Sequence, residues 1–173
     1  MQTAASGAPR FDYDPTTLQP KGILLEGSRT NALKYSEQFD NAIWGKSYIS
    51  ITPNAALAPD GTLTAGQLDA TNANSYIYQV YTGAANTSYT FSVWIKSVSG
   101  TTSLRINQYY NAGNAALATL TLTADTTWRR YVVTANTGAT SSPFWATIGG
   151  AGTFSTGESI YVWGAQLETA QTP

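Results

Sequence analysis

The sequence predicts an all-β protein: a two-sheet antiparallel β-sandwich, most economically a jelly roll, behind an extended N-terminal lead-in. Three observations predict it. From Trp44 onward, short runs of alternating apolar and polar residues are separated by turn signals. Little of the chain carries the 3.6-residue period of an amphipathic helix. Of the 173 residues, 42% are apolar and only 11% charged, so a core is affordable while the surface relies on hydroxyls, amides and aromatic rings. That balance suits a β protein living outside a cell or on the surface of a particle.

Taken in order, residues 1–20 read as the lead-in. Three prolines in "MQTAASGAPRFDYDPTTLQP" forbid a regular helix. Residues 21–45 have no clean period, and a short helix is expected near Thr30–Tyr35. The strands then follow: "SYISITP" (47–53), the "APDG" turn (58–61), "SYIYQVYTG" (75–83) and "TSYTFSVWIKS" (87–97), which alternates most clearly. After them come "SLRINQYY" (103–110), "ALATLTLTA" (116–124), "TWRRYVVTA" (127–135), "FWATIG" (144–149) and "SIYVWGAQLE" (159–168). Residues 1–35 are therefore expected to form an extended segment and clasp, and residues 36–173 the sandwich.

Strand period assigns faces. Tyr89, Phe91, Val93 and Ile95 share a core face, opposite Thr90, Ser92, Trp94 and Lys96. Leu104, Ile106, Gln108 and Tyr110 alternate with Arg105, Asn107 and Tyr109. Tyr76, Tyr78 and Val80 oppose Ile77, Gln79 and Tyr81, and either set can face outward. Sugars present flat C–H faces ringed by hydroxyls, so a site for them needs aromatic platforms flanked by amides, Arg or carboxylates. Trp94, Tyr109, Asn107, Arg105, Tyr78, Gln79 and Trp145 are the candidates for such a face. The competing reading is that these rings pack under loops or against a neighbouring chain.

Composition removes several chemistries. With no cysteine and no histidine there is no disulfide, no thiolate, no Ser-His-Asp triad and no ordinary zinc site. Nine basic residues are scattered over a chain of net charge −1, so a nucleic acid partner is not expected. No apolar run reaches the ~20 residues that span a bilayer, so no membrane insertion is expected. "MQTAASGAPR" lacks the apolar region of a signal peptide, so a route outside the cell would be lysis or a virion. Asp60 and Asp125 fall in turns, Glu158 in "TGES", and Asp12 and Asp14 form a D-x-D before Pro15 that reads as a turn. No pair of carboxylates is nominated as a glycosidase pair, and a P-loop, Rossmann fingerprint or nucleophile elbow is absent. The chain is not expected to be an enzyme.

Two blocks resemble known families. "YTFSVWIKS … TWRRYVVTA … GESIYVWGAQLE" resembles carbohydrate-binding modules of the family 4/9 type, which have a galactose-binding-like jelly roll. That resemblance covers roughly residues 36–168. "PRFDYDP … KGILLEGSRTNALKYSEQFDNAIW", running from Pro9 to Trp44, is similar to a recurrent module of tailed-bacteriophage tail and structural proteins. Together they imply a non-catalytic virion module, on a tail fibre or tip, that binds bacterial surface carbohydrate for host adhesion. Its partners would be that glycan and other phage tail proteins, and a homotrimer is implied as well. A structural, oligomerisation or decoration domain without glycan binding is the alternative, and a glycan-degrading enzyme a lesser one. The carbohydrate-binding modules often carry acidic residues in the closing strand that hold a structural calcium. Val162-Trp163-Gly164 stands there instead, so no cofactor or metal is expected. The chain ends at Pro173, soon after the closing strand, as one domain of a longer protein or a small subunit would.

Glu26 and Arg29, in "KGILLEGSRTNALKYS", are the remaining cluster. With nothing else to complete an active site, they are expected to form a structural clasp. Ile23, Leu24 and Leu33 would tuck against the sandwich, with Gly27 supplying a turn.

Overall fold

The structure is a computed structural model, and it describes residues 10–13, 20–24, 30–110, 113, 115–139, 142–150 and 153–169. The chain divides into two compact units, Met1–Thr30 and Asn31–Pro173. In the first, β1 (Arg10–Tyr13) pairs antiparallel with β2 (Pro20–Leu24). Pro20 opens its strand, the place where a residue without an N–H costs the ladder least. Glu26, Arg29 and Gly27, and the side chains of Ile23 and Leu24, lie outside the described residues.

The second unit is an antiparallel two-sheet sandwich, as expected. Its strands are β3 (Gly45–Ser47), β4 (Ile49–Ala56), β5 (Ala65–Ala70), β6 (Tyr76–Gly83) and β7 (Ser88–Ser97), followed by β8 (Thr102–Tyr110), β9 (Ala115–Ala124), β10 (Arg129–Asn136), β11 (Ser142–Gly149) and β12 (Ser159–Thr169). One five-stranded sheet has the order β3-β6-β11-β8-β9 and the other β10-β7-β12-β5-β4. They are called here the first and second sheets.

The core lies between them. From the second sheet come Phe91, Val93 and Ile95 of β7 with Ile160, Val162, Ala165 and Leu167 of β12. From the first come Ile77, Leu104, Ile106, Phe144, Ala146 and Ile148. Burying each larger aliphatic or aromatic side chain contributes about 1.5–3 kcal/mol, and alternation fixes which residues can be buried. The faces expected for β7 and β8 are those observed. The open question in β6 is resolved, with Ile77, Gln79 and Tyr81 inward and Tyr76, Tyr78 and Val80 outward.

One polar group crosses the core. Gln108 of β8 is fully buried. Its Nε2 donates to the carbonyls of Tyr89 (2.7 Å) and Val133 (3.0 Å) in the opposite sheet, and its Oε1 accepts from the Tyr81 hydroxyl at 2.8 Å. An apolar core tolerates an amide only when its hydrogen bonds are made, and here they tie the two sheets together.

The segment 31–44 differs from expectation. No helix forms at Thr30–Tyr35. The chain instead runs along β12: Ala32 N–H donates to the Leu167 carbonyl at 2.8 Å, and Ala165 N–H to the Ser36 carbonyl at 3.0 Å. Asn31 completes the attachment. Its Nδ2 donates to Ser36 Oγ and the Ala165 carbonyl, both at 3.0 Å, while Oδ1 accepts from Leu33 N–H (3.1 Å) and Leu167 N–H (2.8 Å). Backbone groups of β12 there lack a strand on that side, because β5 pairs only with Ser159–Val162. Leu33, Phe39 and Trp44 are buried, with the last two rings 5.0 Å apart.

Candidate functional site

The outward face of the first sheet is built from residues two apart on adjacent strands. Trp145 of β11 lies opposite Tyr109 of β8 and Val80 of β6. Thr147 lies opposite Asn107 of β8 and Tyr78 of β6, and Tyr78 lies opposite Gly45 of β3. Arg105 follows two residues from Asn107, with Thr121 of β9 across from it.

Four half-buried rings form a row across this face. Tyr78 stacks on Trp145 at 4.1 Å with 19° between ring planes. Tyr109 approaches Trp145 at 6.1 Å, and Tyr76 approaches Tyr78 at 5.9 Å. The stacked pair needs Gly45: a Cβ there would stand 2.3 Å from Tyr78 Cζ. The Tyr78 ring therefore lies in space that only glycine leaves open.

Between the rings the face is polar and under-bonded. Asn107 is 7% exposed and Thr147 6%, although both point away from the core. Among the described residues, the buried side-chain polar atoms without a hydrogen-bond partner are Arg105 Nε, Asn107 Oδ1 and Thr147 Oγ1. All three belong to this face. Leaving such an atom unpaired costs about 1–3 kcal/mol, and the three cluster on the face that carries the aromatic row.

Of the residues expected on one binding face, the structure brings together Trp145, Tyr109, Tyr78, Asn107 and Arg105. Gln79 does not join them. It points inward, 2% exposed, where Oε1 accepts from Lys34 N–H (2.8 Å) and Nε2 donates to the Lys34 carbonyl (2.9 Å). In β6 it shares the parity of Ile77 and Tyr81, which the core claims. Trp94 does not join them either. It lies on the outward face of the second sheet, between Arg130 and Trp163. Arg130 there donates to Ser92 Oγ and Gln166 Oε1, and Trp163 Nε1–H donates to Thr64 Oγ1 at 2.9 Å. Lys96 on that sheet lies 5.0 Å from the Trp128 ring and 5.2 Å from that of Tyr161.

Tyr76, Thr147 and Gly45 are the residues of the face that were not among the sequence candidates. Thr147 was within reach, because it shares the parity of Trp145 in "FWATIG". Gly45 was not, since its partner Tyr78 is supplied by register across the edge of the sheet. Among the described residues no group of three or more acidic side chains is placed to hold a metal ion. Gly164 occupies the bulge of β12 at φ 61°, where the strand's register with β7 shifts.

No protein-family model matches the chain, and no curated protein matches it. Solved structures that share its fold include carbohydrate-binding modules of families 4, 22 and 61. The CBM22-1 xylan-binding domain from Paenibacillus barcinonensis Xyn10C superposes with a TM-score of 0.62 at 12% identity, over 86% of this chain and 100% of that one. The enzymatically active domain of bacteriophage CBA120 tailspike protein 4 gives 0.56 at 13% identity, over 81% of this chain but 21% of that one. The Stig cyclase Fisc from Fischerella sp. TAU gives 0.61 at 11% identity, over 84% of this chain and 100% of that one. At these identities the likeness is one of fold, and the fold carries both binding modules and enzymes.

Proposed function

We propose that this chain is a non-catalytic module that binds carbohydrate on the outward face of its first sheet. The observation that carries the reading is the coincidence of the ring row Tyr109–Trp145–Tyr78–Tyr76 with unpaired Arg105, Asn107 and Thr147 on one face. Sugar C–H faces rest on aromatic surface, while hydroxyls meet the polar side chains set beside the rings. The xylan-binding neighbour supports the reading by fold. The similarity of Pro9–Trp44 to phage tail modules and the tailspike neighbour support the biological setting: a tail-associated module, in a virion, that contributes to adhesion on the bacterial surface. Assembly with other tail proteins, as a homotrimer, would multiply a single-site Kd of about 1 mM through multivalency.

The test is affinity electrophoresis and titration against a broad panel of bacterial and plant polysaccharides. Wild type and Trp94→Ala should be retarded alike, whereas Trp145→Ala should lose at least about tenfold in affinity with its fold retained by circular dichroism. Loss in Trp94→Ala and not in Trp145→Ala would move the site to the second sheet. A stable oligomer in light scattering with no glycan bound would favour burial of the aromatic face against a sister chain. New reducing ends in an incubated polysaccharide would make the protein an enzyme.

A further inference from the structure

We infer that the glycan taken by this face is acidic, with a sugar carboxylate seated on Arg105. The inference rests on the carbohydrate-binding reading above and adds the charge class of the ligand. None of the five strands of the first sheet contains Asp or Glu; their charged residues are Lys46 and Arg105. Lys46 is engaged, its Nζ donating to the carbonyls of Asp40 (3.1 Å), Asn41 (2.9 Å) and Trp44 (3.1 Å).

Arg105 is different. It is half-buried with Nε enclosed, and that atom has no partner. Its cross-strand neighbour is Thr121, and Ser103 and Asn107 flank it along β8. On the other sheet, by contrast, Arg129 meets Asp125 at 3.1 Å, Arg130 meets Ser92 and Gln166, and Lys96 lies between two rings.

A guanidinium is always charged and offers five donors in a planar fork. Enclosing part of it among neutral neighbours costs free energy unless an anion arrives. A carboxylate matches it in charge and in fork geometry, and the half-buried rings of Tyr109 and Trp145 on the same face can carry the same sugar. A single cation suits a ligand with one negative charge per contacted residue. A uronate supplies this, and a phosphodiester linkage is the other carrier of it.

The experiment titrates wild type, Arg105→Gln and Trp145→Ala against three sets of probes. The first is uronate polymers (polygalacturonate, alginate, hyaluronate). The second is the same polymers after carboxyl reduction to their neutral forms. The third is a glycerol-phosphate polymer. Wild type should prefer a uronate polymer over its reduced form by about tenfold or more, with the preference weakened by salt. Arg105→Gln should erase that preference, lowering uronate affinity to that for the reduced polymer, and Trp145→Ala should weaken binding of both. The wild-type comparison needs no variant, so it decides even if Arg105→Gln folds poorly. Equal binding of acidic and reduced polymers overturns the acidic assignment and leaves the carbohydrate reading standing. So does an unchanged preference in Arg105→Gln. Strongest binding to the glycerol-phosphate polymer, lost in Arg105→Gln, overturns the carboxylate. Failure of every polymer of either charge overturns both readings.

Discussion

At the scale of single residues, the face is held by what is missing as much as by what is present. Gly45 contributes no side chain, and Tyr78 fills the space against Trp145. Adding one methyl group, Gly45→Ala, must push the Tyr78 ring off its partner, since a Cβ 2.3 Å from a ring carbon cannot be accommodated. The aromatic pair contributes about 0.5–1.5 kcal/mol, so glycan affinity should fall roughly 2–10-fold. Gly45 sits on a three-residue edge strand, so the melting temperature should move little. Near-ultraviolet circular dichroism with a parallel titration checks both, and an unchanged ring signal would show that Tyr78 does not depend on Gly45. Turn carboxylates act only locally. Asp125 is held below the usual carboxylate range mainly by the Thr127 N–H and then by Arg129, and Asp60 by the Thr62 N–H and hydroxyl.

At the scale of elements, segment 31–36 acts as a strand substitute for the open edge of β12. Asn31 is its centre because one amide serves two donors and two acceptors at once. Asn31→Ala removes all four bonds and strands the Leu167 N–H and Ala165 carbonyl. The expected cost is about 2–4 kcal/mol, which for a chain of this size lowers the melting temperature by roughly 5–15 °C. Differential scanning calorimetry measures it, and a loss under 2 °C would show that the segment docks without Asn31. Part of this was legible: the run "NALKYSEQFDNAIW" stood out as a unit. The acidic and basic residues drew attention there, yet the described attachment is made by an uncharged amide. β5 (AGQLDA) was not legible at all, having neither β-branched nor aromatic residues. It is a strand because β4 and β12 supply ladders on both sides and bury Leu68.

At the scale of the whole molecule, the sandwich is tied across its middle by Tyr81, Gln108 and the carbonyls of β7 and β10. Burial raises the Tyr81 phenol well above its ordinary value, and neighbouring Tyr89 adds to the effect. An unfolded tyrosine ionises near pH 10, so above that pH the unfolded chain sheds a proton the folded chain retains. The stabilisation is therefore whole below about pH 10 and is lost as pH rises toward the folded value. Urea titrations between pH 9 and 11.5 should show a falling midpoint. The fall should be shallower in Tyr81→Phe, which at neutral pH costs about 1–3 kcal/mol by stranding Gln108 Oε1. Equal pH slopes for the two proteins would remove Tyr81 from the alkaline transition.

By itself the sequence determined that the chain is a β-sandwich and which residues of most strands face inward. Alternation is a local property, and burial of apolar side chains enforces it strand by strand. It also placed Arg105, Asn107 and Tyr109 on a common side of one strand, because parity along a strand needs no knowledge of its neighbours. Only the tertiary structure decided which strands lie side by side. That decision put Trp145 and Tyr78 beside Tyr109, sent Trp94 to the opposite sheet and turned Gln79 into the core. The physical reason is that a period of two tells inside from outside but carries no label for the sheet. Strand neighbours are chosen by long-range ladders and by how the whole core packs.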